Sequence, residues 1–353
     1  MTKSNDAKST GGNAISGRWS RRPNGSNWGD FGEDDQIGRL NLLTAARVRA
    51  AVAEVREGKV FCLSLPLTLP GDSVLNPLRK GPRLLPVRDG EQAYPLMPAN
   101  ANHTDLVYDE AVHLYSQYST HWDALCHIGS IYDAKGDGKP DLVLYNGYKA
   151  PVEEPDGKGG KRVGTTALGI EHMAAKGIQG RGVLVDLHAH FGVERKLVGY
   201  DDMMRIFDRD KIVVEEGDLL CLRTGFAGEI CRMGGRPDAS IRQSCPVLDG
   251  GDPALLRWLS ECGIAALICD NQAVEQGNMW TLLDSNASAK KHAGLPLHEH
   301  CIFKLGLPIG ELWFFEELAE WLRTAKRSRF FLTATPLRLP GAAGSPVTPL
   351  ATV

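Results

Sequence analysis

The sequence lacks most of the features that would tie a protein to a membrane, a polyanion or an oxidising compartment. No apolar run approaches the roughly 20 residues that a membrane-spanning helix needs. The polar start MTKSNDAKSTGGNAISGRWSRRPNGSNWG has no apolar centre of the kind a secretory signal carries. Both absences predict a cytoplasmic protein that does not engage the membrane. Forty basic residues stand against 43 acidic ones, a net charge of -3, without a Lys/Arg-rich stripe. No field is available to gather a polyanion, so nucleic acid is not an expected partner. The eight cysteines form no C-x-x-C pair, and most sit inside apolar runs such as VFCLSL and LICD; buried free thiols are expected, not a disulfide framework or a zinc knuckle. There is no G-x-S-x-G elbow, no G-x-x-x-x-G-K-[ST] loop, no strand-linked G-x-G-x-x-G and no internal repeat. A serine hydrolase and a nucleotide cofactor are therefore unsupported.

What is present is ordinary globular material. Of 353 residues, 42% are hydrophobic and 24% charged, enough for a large core. Residues 1–28, rich in Ser, Gly, Asn and Arg, read as a flexible N-terminal arm or one ordered against a partner subunit. Residues 29–353 read as the folded domain. From Thr44, a plausible N-cap, TAARVRAAVAEVREGK has helical spacing with Gly58 as a stop. VFCLSLPL then supplies a strand. GRGVLVDL, GDLLCLRTG and IAALICD are short apolar runs ended by turn residues, as strands buried on both faces require. ALGIEHMAAKG, GYDDMMRIFDRD, DPALLRWLSECG and ELWFFEELAEWLRTAKRS read as helices. Their alternation with strands predicts a mixed α/β protein. DAKGDGKPD lacks the twelfth-position acid of a calcium loop and reads as a plain turn.

The chemistry-bearing segment is VHLYSQYSTHWDALCHIG. Gln117, Ser119, His121 and Asp123 follow at intervals of two, and in an extended strand such residues share one face. A helix would set His121 and Asp123 about 200° apart. The strand reading gathers an amide, an imidazole and a carboxylate, a donor mixture suited to a divalent cation such as zinc or manganese. His127, four residues on, reads as a further ligand or as a base. The plain alternative is a packed histidine beside Trp122. A second cluster, LPLHEHCIFKLGLPIGELWF, holds His298, Glu299, His300 and Glu311; alone it reads equally as an exposed turn leading into an amphipathic helix. Trp122, Tyr118, Phe226 and Trp313 are expected as core packing or as walls of an apolar pocket.

Together these segments resemble the cyclase superfamily of metal-dependent hydrolases, the family of bacterial kynurenine formamidase and isatin hydrolase. The family signature His-x-Gly-Thr-His-x-Asp-x-Pro-x-His reads here as Gln117-Tyr-Ser-Thr120-His121-Trp-Asp123-Ala-Leu-Cys-His127. Gln in the first position resembles the longer trans-dienelactone hydrolase branch, although His121 stands where that branch has a second Gln. YNGY, GRGVLVDL, GDLLCLRTGF, CDNQAVE, LHEHCIFKLGLPIGE and the terminal PLRLPGAAGSPVTPLA resemble segments of longer members in the same order. The resemblance implies a single domain of the swivelling β/β/α type, a homo-oligomer (dimer or tetramer) and a small-molecule substrate. It implies Gln117, His121, Asp123, His298 and Glu311 as metal ligands, with His300 as the substitute if the register is shifted, and His127 as catalytic base. The implied activity is hydrolysis of a lactone, cyclic amide or other non-peptide C–N or C–O acyl bond. A dehydratase or ring-closing enzyme, and a catalytically silent metal-stabilised oligomer, stand as alternatives.

Overall fold

In the computed structural model, which describes residues 17–71, 74–87, 102–151, 154–155, 160–277 and 292–353, the apolar runs become the middle of one large sheet. The strands are β1 (Val60–Cys62), β2 (Arg83–Pro86), β3 (Glu110–His113), β4 (His121–Asp123), β5 (Ser130–Tyr132), β6 (Asp141–Val143), β7 (Glu154–Pro155), β8 (Lys161–Arg162) and β9 (Gln179–Asp186). They continue as β10 (Leu197–Val198), β11 (Leu219–Arg223), β12 (Val247–Leu248), β13 (Ala266–Cys269), β14 (Ile309–Glu311), β15 (Arg329–Thr333), β16 (Gly344–Pro346) and β17 (Leu350–Thr352). The helices are α1 (Ala45–Val52), α2 (Ile170–Lys176), α3 (Leu187–Phe191), α4 (Tyr200–Asp210), α5 (Phe226–Arg232), α6 (Pro253–Glu261), α7 (Pro296–His298) and α8 (Glu316–Ala325).

The main sheet runs β1-β17-β15-β9-β11-β13-β14-β4-β16. Its centre, β9 to β14, is parallel, and both flanks are antiparallel. Every residue of β11 and β13 is buried, as expected where helices cover both faces. Successive side chains divide between two cores. Leu220, Leu222, Leu267 and Cys269 pack with Met203 and Ile206 of α4 and Leu255 and Leu259 of α6. Leu219, Cys221, Ala266 and Ile268 pack with Ile170 and Met173 of α2 and Leu318 and Leu322 of α8. The expected mixed α/β class is thus the observed one.

Local start signals hold: Thr44 caps α1 through its side chain, accepting from Arg47 N, although α1 ends at Val52, short of Gly58. Four cysteines are buried, Cys62 and Cys231 are exposed, and all eight are free. Of the arm expected over residues 1–28, residues 1–16 lie outside the described residues. From Gly17 on the expectation is corrected, because Trp28 is fully buried. Its Nε1 donates to Phe303 O at 2.8 Å, and its ring meets Phe303 edge-on at 5.2 Å. Among the described residues no helix is long and apolar enough to cross a membrane.

Candidate metal centre

β4 lies between β14 and β16, antiparallel to both, and its register sets Glu311 opposite His121 and Gly344 opposite Asp123. Alternation sends His121 and Asp123 to one face. Trp122 goes to the other, where it meets Trp313 edge-on at 5.2 Å and donates from Nε1 to Ala334 O at 2.7 Å. Trp122 and Trp313 therefore belong to the core, and Phe226 lies in a separate apolar cluster.

The same-face reading fails upstream of His121, because β4 is three residues long and Ser116–Thr120 form turns and bends. The Thr120 hydroxyl donates to Leu312 O at 2.5 Å and accepts from Leu65 N at 2.9 Å, drawing the chain out of the ladder. Gln117 reaches the cluster from this turn. Its Nε2 lies 2.9 Å from His127 Nδ1 and 3.4 Å from Asp123 Oδ1, while Oε1 accepts from Ser116. The carboxamide thus presents nitrogen to Asp123, not the oxygen expected of a ligand.

The C-terminal groups arrive by a route that the sequence reading did not contain. LHEHCIFKLGLPIGE is not an exposed turn leading into a helix at Glu311. It forms α7, a buried π-helix over Glu299–Lys304 and then β14, and the following helix starts only at Glu316. Glu311 ends a strand because Ile309 and Gly310 pair with β13 and Leu312, at φ 56°, turns the chain. His298 Nε2 lies 3.1 Å from Glu311 Oε1 and 3.9 Å from Asp123 Oδ2. His300 points elsewhere, to Ser260 Oγ at 2.9 Å, and burial holds its pKa down at about 4. Of the two histidines the fold therefore brings His298 to the cluster.

Hydrogen bonds fix the ring orientations. His121 Nδ1 lies 2.7 Å from Ser119 O, so that nitrogen carries a proton and donates, and Nε2 faces Asp123 at 3.5 Å and Glu311 at 3.7 Å. His298 Nδ1 lies 2.9 Å from Glu275 Oε1, and Glu275 also accepts from the backbone of Leu297 and His298 at 2.9 Å each. A carboxylate behind a ligating imidazole sets its tautomer and raises its basicity. Glu275 had no role in the sequence reading, although it lies within CDNQAVE, just past a buried parallel strand, where α/β sheets place their sites. Ala273 and Val274 before it have φ of 69° and 57°, values costly above all for the β-branched Val274.

Electrostatics follow from this packing. Burial raises the Asp123 carboxyl, but the neighbouring His127 and His121 outweigh it and hold it well below its ordinary value. Glu311 is likewise lowered against burial, chiefly by its bond to His298. Burial would lower His298, yet Glu275 and Glu311 raise it to about 10. Burial lowers His127.

The cluster fits a cation. Donor atoms of His121, Asp123 and Glu311 lie within 4.8 Å of one another. His121 Nε2 and Asp123 Oδ2 are buried without any hydrogen-bond partner, an arrangement that is costly unless another group completes it. Two imidazoles and two carboxylates are a donor set for a divalent ion, and the two carboxylates balance its charge.

Fold and site together place the molecule in a known class. The Cyclase family model matches residues 61–276, more than half of the chain. The chain belongs to the Cyclase family and is an enzyme. A crystal structure of a novel cyclase superposes with a TM-score of 0.72 at 31% identity, covering 93% of this chain and 99% of that one. Isatin hydrolase A from Ralstonia solanacearum (TM-score 0.51, 16% identity, 88% and 96% covered) and from Labrenzia aggregata (0.52, 14%, 89% and 98%) share the fold. No curated protein matches the chain.

Proposed function

We propose that this enzyme is a metal-dependent hydrolase that opens a lactone, cyclic amide or other non-peptide C–N or C–O acyl bond. The observation that carries the reading is the pair of orphaned buried atoms, His121 Nε2 and Asp123 Oδ2, directed at the space that Glu311 and His298 also face. His121, Asp123, His298 and Glu311 would hold zinc or manganese. A divalent ion bound there supplies Lewis acidity that activates water and polarises a carbonyl. His127, whose Nε2 is 3.6 Å from Asp123 Oδ1, takes the proton of the attacking water and delivers it to the leaving oxygen or nitrogen. Gln117 orients His127 through Nδ1. Glu275 holds His298 in the tautomer that offers Nε2 to the site. The reading carries with it a small-molecule substrate and homo-oligomeric assembly in the cytoplasm.

The test is elemental analysis of protein purified without added metal, joined to a screen of lactones, cyclic amides and formamides in ¹⁸O-labelled water. About one zinc or manganese per chain and label in the carboxylate product are expected. Turnover without incorporation of label would indicate a dehydration or ring closure instead.

A further inference from the structure

His127 is where the buried cluster meets solvent. Its side chain is 20% exposed, against 5% or less for His121, Asp123, His298 and Glu311. A hollow of about 310 Å³ opens against it. The lining includes Cys126, Ile131, Leu142, Leu144 and Pro151, and among the described residues it contains no Asp, Glu, Lys or Arg side chain. A charged group placed there would lose hydration without gaining a counter-ion from these residues.

The hairpin β5–β6 overhangs this hollow. Ile131 and Leu142 are direct cross-strand partners, both line the hollow, and they are 63% and 52% exposed. Their neighbours anchor the hairpin. Tyr132 packs edge-on against Trp28 and Phe303, Val143 is buried, and Ser130 Oγ donates to Glu299 Oε1 at 2.8 Å. Gly129 starts the hairpin where a Cβ would come within 2.5 Å of Val143 O. A well-anchored ribbon thus holds an aliphatic pair in water beside His127, which is more open to solvent than His121, Asp123, His298 or Glu311. The pair is the kind of surface that binding an apolar group would cover.

We infer that this hollow receives the uncharged, apolar part of the substrate, so that the enzyme acts on a hydrophobic carbonyl compound whose apolar group extends from the reacting carbon past His127. The inference rests on the proposed metal centre, and its test separates the two. Acetohydroxamate, hexanohydroxamate, octanohydroxamate and benzohydroxamate are titrated calorimetrically into the metal-loaded full chain. A hydroxamate head chelates the ion, and its tail reports the hollow without any need for turnover. Affinity is expected to rise by roughly two- to fourfold per buried methylene. Leu142→Asp, with Ile131→Asp as a second exposed variant, should leave acetohydroxamate binding unchanged and cut that of octanohydroxamate at least tenfold. If acetohydroxamate binds and the longer tails bind no tighter, the hollow is not the apolar subsite while the metal centre stands. If no hydroxamate binds, the metal centre fails and the inference fails with it. If the variants reduce the oligomeric state in size-exclusion chromatography and leave the tail dependence intact, the pair is an interface between copies and the inference is overturned.

Discussion

Gln117 and His127 meet at 2.9 Å through the carboxamide and Nδ1, and the sense of that bond decides what the imidazole can do. With nitrogen toward the ring, Nδ1 accepts and a neutral His127 keeps its proton on Nε2. With oxygen toward the ring, Nδ1 donates and Nε2 presents a lone pair to the cluster, the state that a base needs. The nitrogen-inward sense seen here also satisfies Asp123 Oδ1 at 3.4 Å and Ala343 O at 3.5 Å, so engaging Asp123 elsewhere releases one reason for it. Gln117 therefore acts on catalysis through His127. We expect His127→Ala to retain metal and to lower kcat by about 100- to 10,000-fold. Gln117→Ala should also retain metal, with a loss of about tenfold. In the His127→Ala background the Gln117 substitution should cost nothing further, because partners in one hydrogen bond are not additive. Steady-state rates and metal content of the four proteins decide the matter. Loss of metal from Gln117→Ala would restore Gln117 as a ligand, and additive losses would separate it from His127.

One carboxylate joins two helices. Asp252, the N-cap of α6, accepts from Ala254 N at 2.8 Å with Oδ1 and from Tyr200 N, at the start of α4, at 2.7 Å with Oδ2. The approach is possible because residue 199 is glycine; a Cβ there would stand 2.6 Å from Asp252 Oδ2. The Tyr200 N–H, followed by those at the start of α6, lowers the Asp252 pKa. A depressed carboxyl contributes stability that is present above its unfolded value of about 3.9 and lost as pH falls through the folded value. Asp252→Ala should cost about 1–2 kcal/mol at pH 7, and urea unfolding at pH 3 should show a clearly smaller difference from wild type. Equal differences at the two pH values would mean that the carboxylate charge plays no part. The Thr44 cap of α1, and the buried strands β9, β11 and β13, were legible in the sequence because their causes are local. So were His121 and Asp123, which alternate within one strand. The turn carrying Gln117 was not, since it is set by Thr120 bonding to Leu65 and Leu312, 55 and 192 residues away. His298 and Glu311 entered through family resemblance. Glu275 went unread because its partners, Leu297 and His298, lie 22 and 23 residues on. The π-helix that aims His298 and His300 apart has no local sequence signature, and neither does the exposure of Ile131 and Leu142, whose composition equally suits a core.

Across the whole molecule, β4 from the N-terminal half and β14 from the C-terminal third become neighbours in one sheet. They meet at a cluster holding the buried carboxylates Asp123, Glu311 and Glu275. A metal ion there would cross-link distant parts of the chain, and its removal should lower stability by mass action, about 2.7 kcal/mol if the free ion had been at 100 times its Kd. The size of this effect should depend on pH, with a sign set by His298. Its folded pKa of about 10 in the metal-free protein exceeds the ordinary 6.5. The proton therefore contributes stability that is complete below pH 6.5 and is lost as pH rises toward 10. A cation taking His298 Nε2 must displace that proton. Between pH 7 and 9, binding of zinc or manganese should release about one proton from His298, and the gain in Tm on adding metal should be larger at pH 8.5 than at pH 6.5. Calorimetric titration of the metal-free protein in buffers of different ionisation enthalpy measures the proton count directly. Melting curves with and without the ion give the second quantity. A count near zero, with a Tm gain independent of pH, would show that His298 keeps its proton and lies outside the coordination shell, leaving His121, Asp123 and Glu311 to hold the ion. A count near one that persists in Glu275→Gln would place the released proton elsewhere, since without the Glu275 carboxylate the His298 pKa should fall toward its ordinary value and the release at pH 8 should largely disappear.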